Sequence, residues 1–217
     1  RLYDMCKQPF TFDILPIVAD AVAGAAASAL GLGRKCLVLD LDNTLWGGEV
    51  GDVGTAGITL GPETPEGAPF VAFQRYCKRL SQRGVVLAVC SKNDDAIARA
   101  PFLEHSAMVL SLDDIACFVA NFEDKASNIR LISRTLNLGL DAMVFVDDHP
   151  VERAWIRNQI PEVQVVDLPQ DPAGFVRAVD DSGAFPVARL TAEDVGRAKS
   201  YRLQSTLAES RATAADM

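Results

Sequence analysis

The chain of 217 residues has no excess of basic side chains: 21 Lys and Arg stand against 29 Asp and Glu, a formal net charge of -8. No global positive field therefore exists to draw in phosphate backbones, which argues against a nucleic-acid-binding protein. Cysteines are few, odd in number at 5, and never spaced as a CxxC pair. A chain this long needs no disulfide staples, so reduced thiols in a cytoplasmic protein are expected. No long hydrophobic run occurs either. The most apolar stretch, Ala21 to Leu32, is built largely of Ala and Gly, falls short of the roughly 20 residues that span a bilayer, and lacks the basic start of a signal peptide. With only 15 Gly and 11 Pro, collagen-like and low-complexity readings fail as well. There is no internal repeat.

What is present is apolar material, 49% of the residues, enough to exclude disorder and to build one substantial core. The length suits one domain with short appendages. A helical arm is expected over 1–33, a main domain over 34–185 and a helical tail over 186–217. The first residue, Arg1, leads us to expect a piece of something longer.

Three runs read as strands buried on both faces: 35–40, ending in a carboxylate, 85–90 and 142–146. Helices are expected at 13–30, packing through small side chains, and at 66–83, 94–100, 124–137, 151–159 and 172–180. Pro101 is expected to stop the third of these, and Gly139 to close the fourth. A short strand is expected at 107–110, another at 163–166, and Cys117 in a loop or helix. Thr191-x-x-Asp194 reads as the start of a tail helix. From Asn43 to Pro69 the sequence is rich in Gly, Thr and Pro, a long loop or small hairpin. Alternating buried strands and amphipathic helices predict an open α/β sheet, in which ligands bind beyond the carboxyl ends of the strands.

Each of the clearest strands ends in reactive groups: Asp40, Cys90-Ser91, and Asp147-Asp148. Asp40 and Asp42, joined by Asp147 and Asp148, offer hard oxygen ligands for a cation such as Mg²⁺, and Glu152 lies one turn further on. Ser91 and Lys125 supply a hydroxyl and an ammonium for the oxygens of a transferring phosphoryl group.

The order DLDNTLWGG (40–48), VCSKN (89–93), EDK (123–125) and FVDDHPVE (145–152) resembles the haloacid dehalogenase (HAD) superfamily of phosphotransferases. The resemblance is strongest to its FkbH-like domains, and covers roughly residues 34–205. It implies a three-layer Rossmann-like sandwich, a mostly parallel sheet and only a small cap loop. It implies Asp40 as nucleophile, Asp42 as general acid and base, Mg²⁺ on Asp40, Asp42, Asp147 and Asp148, and Ser91, Asn93 and Lys125 around the phosphate. FkbH-like domains take 1,3-bisphosphoglycerate and load a glyceryl unit onto an acyl carrier protein in polyketide synthesis, sometimes within a multidomain synthase.

Acyl transfer to a thioester calls for a thiol. Of the five cysteines only Cys90 is at a carboxyl strand end, where Lys92, Lys125 and Mg²⁺ are expected to lower its pKa. Strand alternation sets Cys90 and Ser91 on opposite sides, and burial as a simple core residue is the competing reading. His149, of the type that changes charge near neutral pH, is a candidate base for a carrier thiol, or simply the residue before Pro150. Arg75, Lys78, Arg79 and Arg83 are a candidate docking face for an acidic carrier, or a solvated helix face. Two other functions stay open: a plain Mg²⁺-dependent phosphatase in which Cys90 only packs, and a non-catalytic module that kept the fold.

Overall fold

The computed structural model describes residues 11–30, 33–186 and 200–201. The sheet begins with Cys36–Leu39 (β1), four apolar residues without a polar interruption, all buried. Val86–Ser91 (β2), Ile115–Ala120 (β3), Met143–Val146 (β4) and Gln164–Val165 (β5) complete it in the order β3-β2-β1-β4-β5. Every pairing is parallel. Leu39 lies opposite Val89 on one side and Val146 on the other, so the strand carrying the first acidic motif is flanked by the two carrying the others.

Both faces of the sheet are covered, which is why its strands read as continuous apolar runs. On one face Leu37, Leu39, Leu87, Val89, Val144 and Val146 pack beneath the helices Ala68–Gln82 and Phe175–Asp181. On the other, Val38, Val86, Ala88, Cys90 and Phe145 meet Ile129, Ile132 and Leu136 of helix Lys125–Leu136 and Ile156 of helix Pro150–Gln159. In chain order the helices are α1 (Leu15–Ala29), α2 (Val50–Val53), α3 (Ala68–Gln82), α4 (Asp95–Glu104), α5 (Lys125–Leu136), α6 (Pro150–Gln159) and α7 (Phe175–Asp181).

Several boundaries differ from expectation, each for a local reason. Helix α4, expected to stop at Pro101, runs through it to Glu104. Proline there forfeits one hydrogen bond, but it is itself buried, and Asp94 caps the first turn by accepting from the N–H groups of Ala96 and Ile97. Helix α5 closes at Asn137, in a left-handed conformation (φ 50°), two residues before Gly139. No strand forms at 107–110; β3 starts at Ile115, after a Ser111–Asp114 capping box, and carries Cys117. Gly84, at φ 89°, turns the chain from α3 into β2.

The loop 43–67 holds α2 and one antiparallel bridge, Gly47 with Thr59, and no second domain. Helix α1 forms where expected, but Leu15, Ile17 and Val22 on it remain exposed rather than packed. The expected helix start at Thr191 lies outside the described residues. Among the described residues no helix is long and apolar enough to cross a membrane.

Candidate active site

Asp40 is the first residue past β1, and its N–H still donates to the Val146 carbonyl at 3.1 Å. The chain then turns sharply: Leu45 N–H reaches back to the Leu41 carbonyl at 2.7 Å, and Asn43 takes φ 54°. Asp147 is the first residue past β4, and Lys125 opens α5. These elements converge in the interior, with Asp40 6% exposed, Lys125 3% and Asp147 0%. The Lys125 ammonium sits between the two carboxylates, 3.0 Å from Asp40 Oδ1 and 2.5 Å from Asp147 Oδ2.

Asp148, half-buried, completes an acidic cluster: one oxygen each from Asp40, Asp147 and Asp148 lie within 4.8 Å of one another. Three carboxylates against one ammonium leave surplus negative charge in a poorly solvated site. Burial pushes the Asp40 carboxyl up; Lys125 pulls it back and Asp147 pushes again, leaving it at about 7. Burial and then Asp147 raise Asp148 above the ordinary carboxylate range. Burial works against the Lys125 ammonium, but Asp40 and Asp147 outweigh it and hold Lys125 above its usual value. An oxygen-only donor set with excess negative charge fits a hard divalent cation, Mg²⁺ among them.

Asp42 is not in that cluster. Its Oδ1 accepts from Trp46 Nε1 (2.8 Å) and the Val50 N–H (3.0 Å), and its Oδ2 from Asn93 Nδ2 (3.1 Å). The turn at Asn43 carries the side chain toward the loop, so the Asp42 carboxylate, expected to ligate metal with the other three, is not among the clustered oxygens. Asn93 likewise holds Asp42, and through its Oδ1 the N–H of Asp94 (2.9 Å), rather than facing open space. Ser91 ends β2, buried.

Cys90 is at the expected strand end but points onto the α5 face, 0% exposed, with Sγ 3.8 Å from the Lys125 carbonyl. Burial drives its thiol pKa up; Lys125 pulls the other way and does not prevail, while Asp40, Asp147 and Glu152 add to the rise. The expected thiolate is therefore disfavoured here. Lys92, assigned a part in activating it, is instead paired with Glu152 at 2.5 Å. His149 is exposed at the start of α6, and its N–H donates to Asp147 Oδ1 at 2.8 Å.

The basic cluster is divided. Lys78 binds Asp114 (3.2 Å) and the Val109 carbonyl (3.0 Å), and Arg83 reaches the Phe185 carbonyl (3.4 Å). Arg75 and Arg79 remain exposed. Because α3 leads into the start of β2, its last turn with Arg79 and Arg83 lies toward the amino edge of the sheet, away from Asp40.

Two participants carry no sequence signal of their own. Thr44 Oγ1 accepts the Asp148 N–H at 3.2 Å, and Arg153 binds the carbonyls of Asp147 and Asp148. Thr44 lies within the first motif and Arg153 just past the last, each reading as packing or surface until the turn is seen.

Among solved structures, the chain is similar to the N-terminal part of the protein BF1531 from Bacteroides fragilis, which contains a phosphatase domain and was solved complexed with Mg. The two are 44% identical with a TM-score of 0.77, over 88% of this chain and 50% of that one. This chain thus spans about half the length of that structure. An uncharacterized protein from Corynebacterium glutamicum aligns at a TM-score of 0.45 and 15% identity, over 72% of this chain and 100% of its own. No family model matches the chain, and no curated protein does. The architecture is the HAD-like, Rossmann-type α/β sandwich, with a five-stranded all-parallel sheet.

Proposed function

We propose that the chain is a Mg²⁺-dependent phosphoryl-transfer enzyme of the HAD type, and within that class a glyceryl transferase/phosphatase. The observation that carries the first part is the buried cluster of Asp40, Asp147 and Asp148 around the Lys125 ammonium at the carboxyl ends of neighbouring strands. The similarity to the Mg-complexed phosphatase-domain structure supports it.

Asp40, Asp147 and Asp148 would hold Mg²⁺, which would supply positive charge against the phosphoryl oxygens. Lys125 adds a fixed ammonium and Ser91 a hydroxyl donor. Asp40 attacks phosphorus through a carboxylate oxygen, and the bond from phosphorus to the leaving oxygen breaks. Asp42 gives that oxygen its proton, then takes one from the water that cleaves the aspartyl phosphate and releases phosphate. In this structure the Asp42 oxygens are taken by Trp46, Val50 and Asn93, bonds that hold the carboxylate in place near Asp40 in sequence.

The finer part rests on the FkbH-like motifs and on Cys90 beside Ser91. The substrate is then 1,3-bisphosphoglycerate. The Cys90 sulfur bonds the acyl carbon as the acyl carbon–oxygen bond breaks and the 1-phosphate leaves with the thiol proton. Transfer of the 3-phosphoryl group to Asp40 and then to water releases the second phosphate, and the glyceryl group passes from Cys90 to the phosphopantetheine thiol of an acyl carrier protein. His149, exposed beside Asp148, takes the proton of that thiol. Arg75 and Arg79 are the exposed cations left for an acidic carrier. Cys90 is covered in this conformation, so the thioester step requires the start of α5 to move off it.

Mass spectrometry of the chain with 1,3-bisphosphoglycerate and a carrier tests the reading. A glyceryl mass on Cys90 and then on the carrier, absent in Cys90→Ser, is the expected result. Phosphate release with no acyl adduct would reduce the function to a plain phosphatase, and neither product would remove both parts.

A further inference from the structure

Two consecutive aspartates serve one site, which a regular strand does not allow. In extended chain Asp147 and Asp148 would point to opposite faces, yet both carboxylates come within 4.8 Å of each other and of Asp40. The chain therefore leaves the ladder directly after Val146, the last residue of β4. The carbonyls of 147 and 148 then need partners of their own, because a buried main-chain oxygen without one is costly.

A single group takes up both. Arg153 Nη1 donates to the Asp147 carbonyl and to the Asp148 carbonyl, each at 2.7 Å. Arg153 lies in the second half-turn of α6, where side chains lean back toward the helix start, and it is 8% exposed. Its Nε is buried without a hydrogen-bond partner; the nearest carboxylate, Asp167 Oδ1, is 3.4 Å away and already bound by Arg157 at 2.7 Å. The rest of the turn is closed from the other side, by Thr44 Oγ1 on the Asp148 N–H (3.2 Å) and by Asp147 Oδ1 on the His149 N–H (2.8 Å). The bonds that Arg153 makes to the tandem aspartates go to their carbonyls and leave both carboxylates free to face Asp40. The Arg153 donors shape the backbone beneath the cluster.

We propose that Arg153 is the positioning residue of the cation site: by tying the two carbonyls to one nitrogen it fixes the turn in which Asp147 and Asp148 present their carboxylates to the same divalent ion. This rests on the cation reading given above, and it concerns the supporting shell rather than the ligands.

The test is calorimetric titration of Mg²⁺, and separately Mn²⁺, into the metal-stripped full chain, without substrate. Arg153→Met is expected to bind about 10–100-fold more weakly, the range typical when support behind metal ligands is lost. Arg153→Lys, whose ammonium has donors for both carbonyls but a shorter reach and no rigid plane to hold it between them, is expected to fall between, roughly threefold or more below wild type. Phe175→Ala removes a buried ring from the opposite face and so loses stability without touching the turn; its affinity is expected to equal wild type. Unchanged affinity in folded Arg153→Met overturns the proposal, and if that variant does not fold, unchanged affinity in Arg153→Lys does so. Equal weakening in Phe175→Ala also overturns it, since general destabilisation would then explain the loss. If wild type itself binds neither ion, the cation reading falls and this proposal with it; if wild type binds and the Arg153 variants match it, only this proposal falls.

Discussion

Replacing Lys125 by Met removes the one ammonium between two buried carboxylates while keeping most of the side-chain volume. Lys125 is 3% exposed and touches both Asp40 (3.0 Å) and Asp147 (2.5 Å), so the variant strands uncompensated charge in the interior. Breaking a buried pair this way costs about 3–5 kcal/mol, which for a chain of this size lowers the unfolding midpoint by roughly 6–20 °C. The cost depends on pH in a fixed direction. Asp40 already titrates at about 7 in the metal-free fold against 3.8 for the free side chain. A group raised in this way holds a proton that the unfolded chain has lost, so its contribution is full below about pH 4 and is lost as pH rises through 7. Without Lys125 the folded-state value rises further, and the loss extends to higher pH. Thermal and urea unfolding in EDTA should therefore show a deficit of Lys125→Met that grows from pH 5, where Asp147 alone loses its partner, to pH 8, where it reaches several kcal/mol, with Mg²⁺ restoring part of the difference. A penalty below about 1 kcal/mol at pH 8, or one that is the same at both pH values, would refute the charge assignment.

Cation binding by the wild-type chain should itself release a proton below pH 7, because the ion displaces it from Asp40; calorimetry in buffers of different ionisation heat should read about one proton per ion at pH 6 and none at pH 8.5, and a pH-independent affinity would contradict it. Asp94→Ala should destabilise the chain by about 1 kcal/mol through loss of the α4 cap and lower amide protection over 95–104; unchanged protection there would show that the cap bonds at 2.9 and 3.2 Å contribute nothing.

Sequence alone revealed the elements in which one chemical demand dominates. A strand covered on both faces has to be apolar throughout, so β1, β2 and β4 were readable, and the reactive groups just beyond them stood out against that background. β3 was not, because Cys117 and Phe118 follow a turn built on Asp113 and Asp114, and the weaker run at 107–110 was the more tempting match. Pro101 misled because burial of its ring compensates a break that local preference alone would predict. At the site, spacing sets Asp40, Asp147, Asp148 and Lys125 at one end of the sheet, where they lie together, since each follows or opens a regular element. Asp42 lies beyond the first turn, where period-two reasoning no longer holds and Asn43 redirects the chain. The burial of Cys90 was likewise hidden: strand alternation says which face a residue takes, not how completely the helices close over it. Arg153 had no chemistry to advertise, only two carbonyls to satisfy.

The central claim is that Asp40 is the phosphoryl acceptor in a cation-dependent reaction. Acid-quenching the chain during turnover of a phosphate monoester, which has no acyl carbon for Cys90 to attack, and mapping the phosphorylated peptide by mass spectrometry tests it directly. A phosphoryl group on Asp40, lost with EDTA and lost in Asp40→Asn together with phosphate release, is the predicted result. Phosphate release that persists in Asp40→Asn would contradict it.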